Sequence, residues 1–152
     1  MKVERIFVAG APGAPQRDVS AVRVTADAGI EGDRYFAAHD EPGQNVTLVE
    51  AEEIEAFLAE RGRSADLSCT RRNVVTRGVR LADLVGREFS IGGVRLRGVE
   101  LCEPCRSFGK QLAAPDYPAA AVVKRFVHRA GLRADILASG VIAVGAAIVV
   151  AA

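Results

Sequence analysis

The sequence predicts an α+β domain, mostly β, in which many short strands form a barrel and a few helices are inserted. Three observations predict it. Apolar and polar residues alternate in many short runs. Glycine- and proline-rich turns separate those runs. Only two stretches carry the i, i+3, i+4 apolar spacing of an amphipathic helix.

The elements follow in order. Val3 to Ala9 and Ser20 to Thr25 read as strands, with Val22 and Val24 on one face and Ala21, Arg23 and Thr25 on the other. Between them lies the turn-rich Gly-Ala-Pro-Gly-Ala-Pro-Gln loop. Asn45 to Val49 is a further short strand. Glu50 to Arg61 reads as a helix, because Ile54, Phe57 and Leu58 share one face amid acids and Gly62 is placed to end it. Asn73 to Val75, Arg87 to Ile91 and Val94 to Leu101 are strands, the last two joined by the two-residue hairpin signal Gly92-Gly93. Pro118 starts a second helix whose buried stripe is Val122, Val123, Phe126 and Val127, with Gly131 as its stop. Strands over Leu132 to Leu137, Val141 to Val144 and Ala147 to Val150 finish the chain, with turns at Ser139-Gly140 and Gly145. No repeat or linker divides residues 1–152, so a single domain is expected.

Composition narrows the function. The net charge is +1 and aromatic residues make up 5% with no Trp, so neither a global field nor stacking platforms recruit nucleic acid. No apolar run is long enough to span a bilayer, so no membrane partner is expected. The first residues carry Glu4 inside a short apolar run, unlike a signal peptide. Three cysteines cannot pair fully, and reduced thiols in the cytoplasm are the expectation. Charge is uneven along the chain: Glu31 to Asp66 holds ten acids and three arginines, whereas Arg71 to Arg106 holds eight arginines and four acids. Those arginines either decorate exposed strand faces or converge on an anionic ligand.

Familiar nucleotide, hydrolase and metalloprotease signatures are absent. His39-Asp40 reads as loop, and neither Asp33 nor Asp83 has an obvious partner carboxylate. The strongest local feature is Leu101-Cys102-Glu103-Pro104-Cys105-Arg106 at the end of a strand. Four chemistries compete for it. One is a zinc site completed by Cys69 and His128. The others are a dithiol redox pair, an inert buried pair, and a single thiolate ligand for a soft metal, favoured by the neighbouring Arg106.

Five ordered blocks then carry a resemblance. Gly29-Ile30-Glu31-Gly32-Asp33-Arg34, Arg71-Arg72-Asn73-Val74-Val75, Leu81 to Phe89 with Ile91-Gly92, Cys102-Glu103-Pro104-Cys105, and His128 to Ala134 with the Ser139-Gly140…Gly145 ending resemble the MOSC domain family, the C-terminal domains of molybdenum cofactor sulfurases, which also occur as stand-alone proteins. The resemblance runs from about Val22 to the C-terminus. It implies a mixed β-barrel and a pocket for the molybdopterin form of the molybdenum cofactor. It further implies that Cys105 coordinates molybdenum, that Arg71 and Asn73 contact the pterin or its phosphate, and that Arg34 shares that duty. Bottom-up chemistry agrees, since guanidinium forks suit a phosphate and a thiolate suits the metal.

Each residue also has a plainer reading. Arg71 can be a solvated strand arginine, Asn73 a turn cap, and Gly32 a backbone hinge before Arg34. On a helical wheel His128 lies opposite Val122 and Phe126, which makes it either a simple exposed side chain or a pocket-lining proton donor. The chain departs from the family pattern at Gly10 to Asp18, where some members carry a Lys-Ser segment, and at Gly145-Ala146, where Gly-Asp is usual. The sulfurases' pyridoxal-phosphate domain has no counterpart among residues 1–152, so no pyridoxal phosphate is expected to act here. Two function classes follow. One is a reductase of N-hydroxylated compounds, in which molybdenum on Cys105 acts with a proton from His128 and an external electron donor on a small-molecule substrate. The other is a carrier that hands cofactor or sulfur to a cofactor-handling protein. A zinc-stabilised binding domain is the third and weakest class.

Overall fold

A computed structural model describes residues 1–38 and 41–152; His39 and Asp40, expected as loop, lie outside the described residues. The strands are β1 (Lys2–Val8), β2 (Arg17–Val19), β3 (Ala21–Thr25), β4 (Gly29–Ile30), β5 (Val46–Glu50), β6 (Val74–Arg77), β7 (Glu88–Ile91), β8 (Val94–Leu101), β9 (Leu132–Ile136), β10 (Gly140–Ala143) and β11 (Ile148–Val150). The helices are α1 (Ala51–Glu60), α2 (Arg106–Leu112) and α3 (Ala119–Phe126), with a 3-10 turn at Leu81–Leu84. The α+β, mostly β architecture is the one expected.

Eight strands form one sheet in the order β11-β7-β8-β9-β5-β6-β1-β2, and a three-stranded sheet runs β10-β3-β4. All pairs are antiparallel except β5 with β6, which is why α1 lies between those two strands: parallel neighbours need a crossover. The large sheet curls into a half-barrel. Its flanks meet where Lys2 bridges Ala147 and the Ile148 amide donates to the Met1 carbonyl at 3.0 Å. Both faces of its centre are buried, because alternate residues enter two cores. Ile6, Leu48 and Val74 join Phe89, Leu96 and Leu132 inside the curl. Their neighbours Phe7, Val49 and Val75 pack outward against Phe57, Phe108 and Phe126 of the helices.

Helix α1 buries Ile54, Phe57 and Leu58 as its periodicity predicts. Helix α3 is shorter than predicted. Its Val122 and Phe126 are buried, but Val127 is exposed because the chain leaves the helix there. His128 takes φ +61°, and the Glu103 carboxylate accepts from its backbone amide at 3.5 Å. His128 therefore sits beyond the helix, not on its face, and the helical stop falls before Gly131. That glycine is required for another reason: at φ +118°, a Cβ there would lie 2.2 Å from the Leu48 carbonyl oxygen.

Sequence reading missed α2, β2, β4 and the 3-10 turn. Helix α2 has no acid in its first turn and no Ser, Thr, Asp or Asn cap, and it contains Gly109. That glycine lets α3 approach, since its Cβ would meet the Ala119 carbonyl oxygen at 2.7 Å. No helix among the described residues is long and apolar enough to cross a membrane.

Candidate functional site

The strand end that carries Cys102 and the first turn of α2 open onto a cleft of about 560 Å³. Its lining includes Cys102, Cys105, Glu103, Thr47 and Tyr35, and four arginines: Arg34, Arg71, Arg72 and Arg133. That size and mixture suit a small molecule or cofactor. Three of the sequence-predicted site residues, Arg34, Arg71 and Cys105, thus reach one cavity from segments far apart in the chain.

The three cysteines differ in kind. Cys105 is exposed and occupies the N-cap position of α2. The Phe108 amide holds its thiol below the ordinary 9.0, outweighing a smaller opposing effect of burial; the amides of Ser107 and Cys105 and the Arg72 charge help. Cys102 is buried, and burial pushes its thiol up. Cys69 is pushed up to about 12, again chiefly by burial. Only Cys105 is exposed and has its thiol shifted toward the thiolate form, which favours the single-ligand reading over the dithiol and inert-pair readings. Among the described residues no group of three or more His, Cys, Asp or Glu side chains is placed to hold a metal, so the zinc set of Cys69, Cys102, Cys105 and His128 does not assemble.

Arg34 is anchored rather than free. Its side chain is buried against Asp33, 3.1 Å away, and donates to the Arg71 carbonyl at 2.9 Å. Asp33, which sequence reading left without a role, also accepts from the Ala9 and Tyr35 amides and so locks the loop before Arg34. Arg71 adopts φ +59° and donates one Nη to the Ala14 carbonyl at 2.6 Å.

Asn73 does not line the cleft. It is 1% exposed, its Oδ1 accepts from the Thr47 amide and hydroxyl, and its Nδ2 donates to the Phe7 carbonyl at 3.2 Å. Its service to the site is indirect: it pins Thr47, which does line the cleft, and ties β1, β5 and β6 together. Replacing Asn73 with Ala should therefore cost about 2–3 kcal/mol, because buried partners lose their bonds. A urea unfolding curve with a shifted midpoint and unchanged slope would show it.

His128 also stands outside the lining. Its ring Nδ1 lies 2.9 Å from Oε1 of Glu103, a cleft residue, so it reaches the cavity through that carboxylate. Sequence reasoning missed Arg72, Arg133, Glu103, Tyr35 and Thr47. Arg72 stood inside the quoted Arg-Arg-Asn run, and Arg133 inside the His128 to Ala134 block. The signal was present for both, but nothing in the sequence said which arginine would face inward. Arg133 closes one wall by pairing with Glu41 at 3.0 Å and Glu100 at 2.6 Å. That pairing holds the Glu41 carboxyl below its usual range.

Comparison with known proteins places this geometry. The family model for the MOSC domain matches residues 36–149. The Gly29 to Arg34 block lies ahead of that match. No curated protein sequence matches the chain significantly. The YuaD protein of Bacillus subtilis superposes with a TM-score of 0.82 at 21% identity, covering 98% of this chain and 94% of that one. YiiM of Geobacillus stearothermophilus superposes with a TM-score of 0.73 at 17% identity, over 99% of this chain and 75% of that one. YiiM of Escherichia coli gives 0.71 at 17% identity, over 100% and 70%. At these identities the solved structures speak for the fold, whereas the family model covers most of the chain. The chain belongs to the MOSC domain family.

Proposed function

We propose that this protein binds the molybdenum cofactor in the cleft and reduces N-hydroxylated small molecules. The observation that carries the reading is one exposed, thiolate-favouring cysteine in a cavity walled by arginines. The family is associated with molybdenum cofactor binding, and the donor set here fits the group. Cys105 would be the protein ligand to molybdenum, and Arg71, with Arg34 bracing its backbone, would be among the cleft arginines that hold the pterin or its phosphate. Asn73 would serve by holding Thr47.

When bound, the cofactor supplies two-electron redox chemistry at a soft, high-valent metal. The overall change is N–OH plus two electrons and two protons giving N–H and water, with the electrons taken from an external donor protein. The chain's own part is to position the substrate beside Cys105 and deliver protons. The His128 ring, hydrogen-bonded to Glu103 at the cleft, is the proposed proton source. Three free thiols suit a reducing compartment, and the cytoplasm is the proposed location.

The test is anaerobic turnover of benzamidoxime to benzamidine with reduced methyl viologen as donor, using protein from a cofactor-competent host. Wild type should turn over, and Cys105→Ser should lose at least about a hundredfold, since even outer-shell partners of a metal are worth 10–100-fold. No turnover by protein that carries molybdenum would exclude the reductase reading. It would favour a second reading supported by the exposure of Cys105: a carrier that passes cofactor or sulfur to a handling protein.

A further inference from the structure

The Arg71-Arg72-Asn73 run divides its labour in a way that its sequence does not announce. Asn73 has both ends of its amide engaged with backbone and Thr47. Arg71 has one Nη on the Ala14 carbonyl. Arg72 differs from both. Its Nε donates to the Ala130 carbonyl at 2.9 Å, and its guanidinium carbon stands 5.2 Å from the Phe108 ring centre. Those two contacts fix the plane of the group. Neither Nη nitrogen of Arg72 makes a hydrogen bond or ion pair among the described residues, and the residue lines the cleft.

A charge balance of the cleft arginines points the same way. Arg34 is matched by Asp33, and Arg133 by Glu41 and Glu100. Arg71 and Arg72 make no ion pair among the described residues, and Glu103, the remaining carboxylate of the lining, pairs with His128. A guanidinium held by its Nε, with both Nη nitrogens available, presents the paired N–H edge that grips two oxygens of one phosphate. Arg71, with one Nη committed, offers less of that edge. Arg72 also packs on Phe108, whose helix begins at Cys105, so a group held by Arg72 sits on the side of the cleft that carries the sulfur.

We infer that Arg72 is the principal anion-binding residue of the cleft, a bidentate fork for a phosphate-class group, with Arg71 as its auxiliary. The inference deepens the cofactor reading and rests on it for the identity of the natural ligand. The fork itself can be tested with inorganic pyrophosphate on cofactor-free protein by titration calorimetry. Wild type should bind. Arg72→Gln should weaken binding at least about tenfold, and Arg72→Lys should recover only part of it, because an ammonium keeps the charge but not the fork. Arg71→Gln should cost less than Arg72→Gln, and Arg95→Gln, an exposed arginine paired with Glu88 outside the cleft lining, should bind as wild type does. Circular dichroism confirms that each variant is folded, and Arg72→Lys stands in should Arg72→Gln fail to fold.

No pyrophosphate binding by wild type, equal affinity in Arg72→Gln, or a greater loss in Arg71→Gln would overturn the inference. The cofactor reading fails differently. Protein from a competent host that lacks molybdenum and pterin, yet loses pyrophosphate affinity in Arg72→Gln, would keep the fork and discard the cofactor. Wild-type cofactor content in Arg72→Gln would do the reverse.

Discussion

Replacing Gly131 with alanine should destabilise the protein by more than about 4 kcal/mol, a large part of the ~5–15 kcal/mol that holds a domain folded. Two costs combine. The residue sits at φ +118°, a conformation that L side chains rarely adopt. Its added Cβ would fall 2.2 Å from the Leu48 carbonyl oxygen, which cannot retreat because Leu48 pairs with Leu132 and Val74 in the centre of the sheet. The same glycine's carbonyl accepts from the Cys102 amide at 2.8 Å, so the strain would be delivered to the base of the cleft. Gly62→Ala is the control. At φ +62° with nothing near its Cβ, it should cost only about 1–2 kcal/mol. Urea unfolding monitored by far-ultraviolet circular dichroism separates the two variants. Equal stabilities would refute the close-approach argument.

The second large effect is chemical. Iodoacetamide at neutral pH should alkylate Cys105 in the folded, cofactor-free protein while Cys69 and Cys102 remain unmodified. The thiolate is the nucleophile. A thiol at about 12 holds roughly a thousandth of the thiolate of one at 9.0, and burial puts Cys69 there. Cys105 is shifted the other way, chiefly by the Phe108 amide, so its thiolate fraction at neutral pH exceeds the ordinary one. With a folded-state pKa below 9.0, its alkylation rate should climb with pH and level off earlier than that of a free thiol. Peptide mass mapping against pH reads all three sites at once, and unfolding in urea should make them alike. Comparable labelling of the three in the folded state would remove the reason for singling out Cys105.

The elements legible in the sequence were those in which local pattern and tertiary packing agree. Gly92-Gly93 marks the β7–β8 hairpin because the turn chemistry is local. Helix α1 was legible because its apolar stripe faces a core that wants it. Helix α2 was not, because its formation rests on Phe108 and Leu112 docking under α3 rather than on a cap or propensity. The end of α3 was misread because a carboxylate from a distant segment, Glu103, supports His128 at φ +61°, and no local signal encodes that contact.

The site divides in the same way. Cys105 stood out because few residue types offer a soft ligand, and Arg34 and Arg71 because they sit in two of the five ordered blocks that together carry the family resemblance. Which guanidinium would be neutralised was hidden, since that depends on side chains brought in from elsewhere: Glu41 and Glu100 for Arg133, and none among the described residues for Arg72. Asn73 reads in sequence as a ligand contact or a turn cap, and the structure buries its amide between Thr47 and the Phe7 carbonyl. A buried amide between three strands looks the same in sequence as one facing a ligand.

The most direct test of the central claim is molybdenum and pterin content, measured by elemental analysis and pterin fluorescence on protein purified from a cofactor-competent host, wild type beside Cys105→Ala. The account predicts about one molybdenum and one pterin per wild-type chain, with molybdenum lost in the variant. Zinc without pterin, or no metal in either protein, would contradict it and leave the fold without its assigned cofactor.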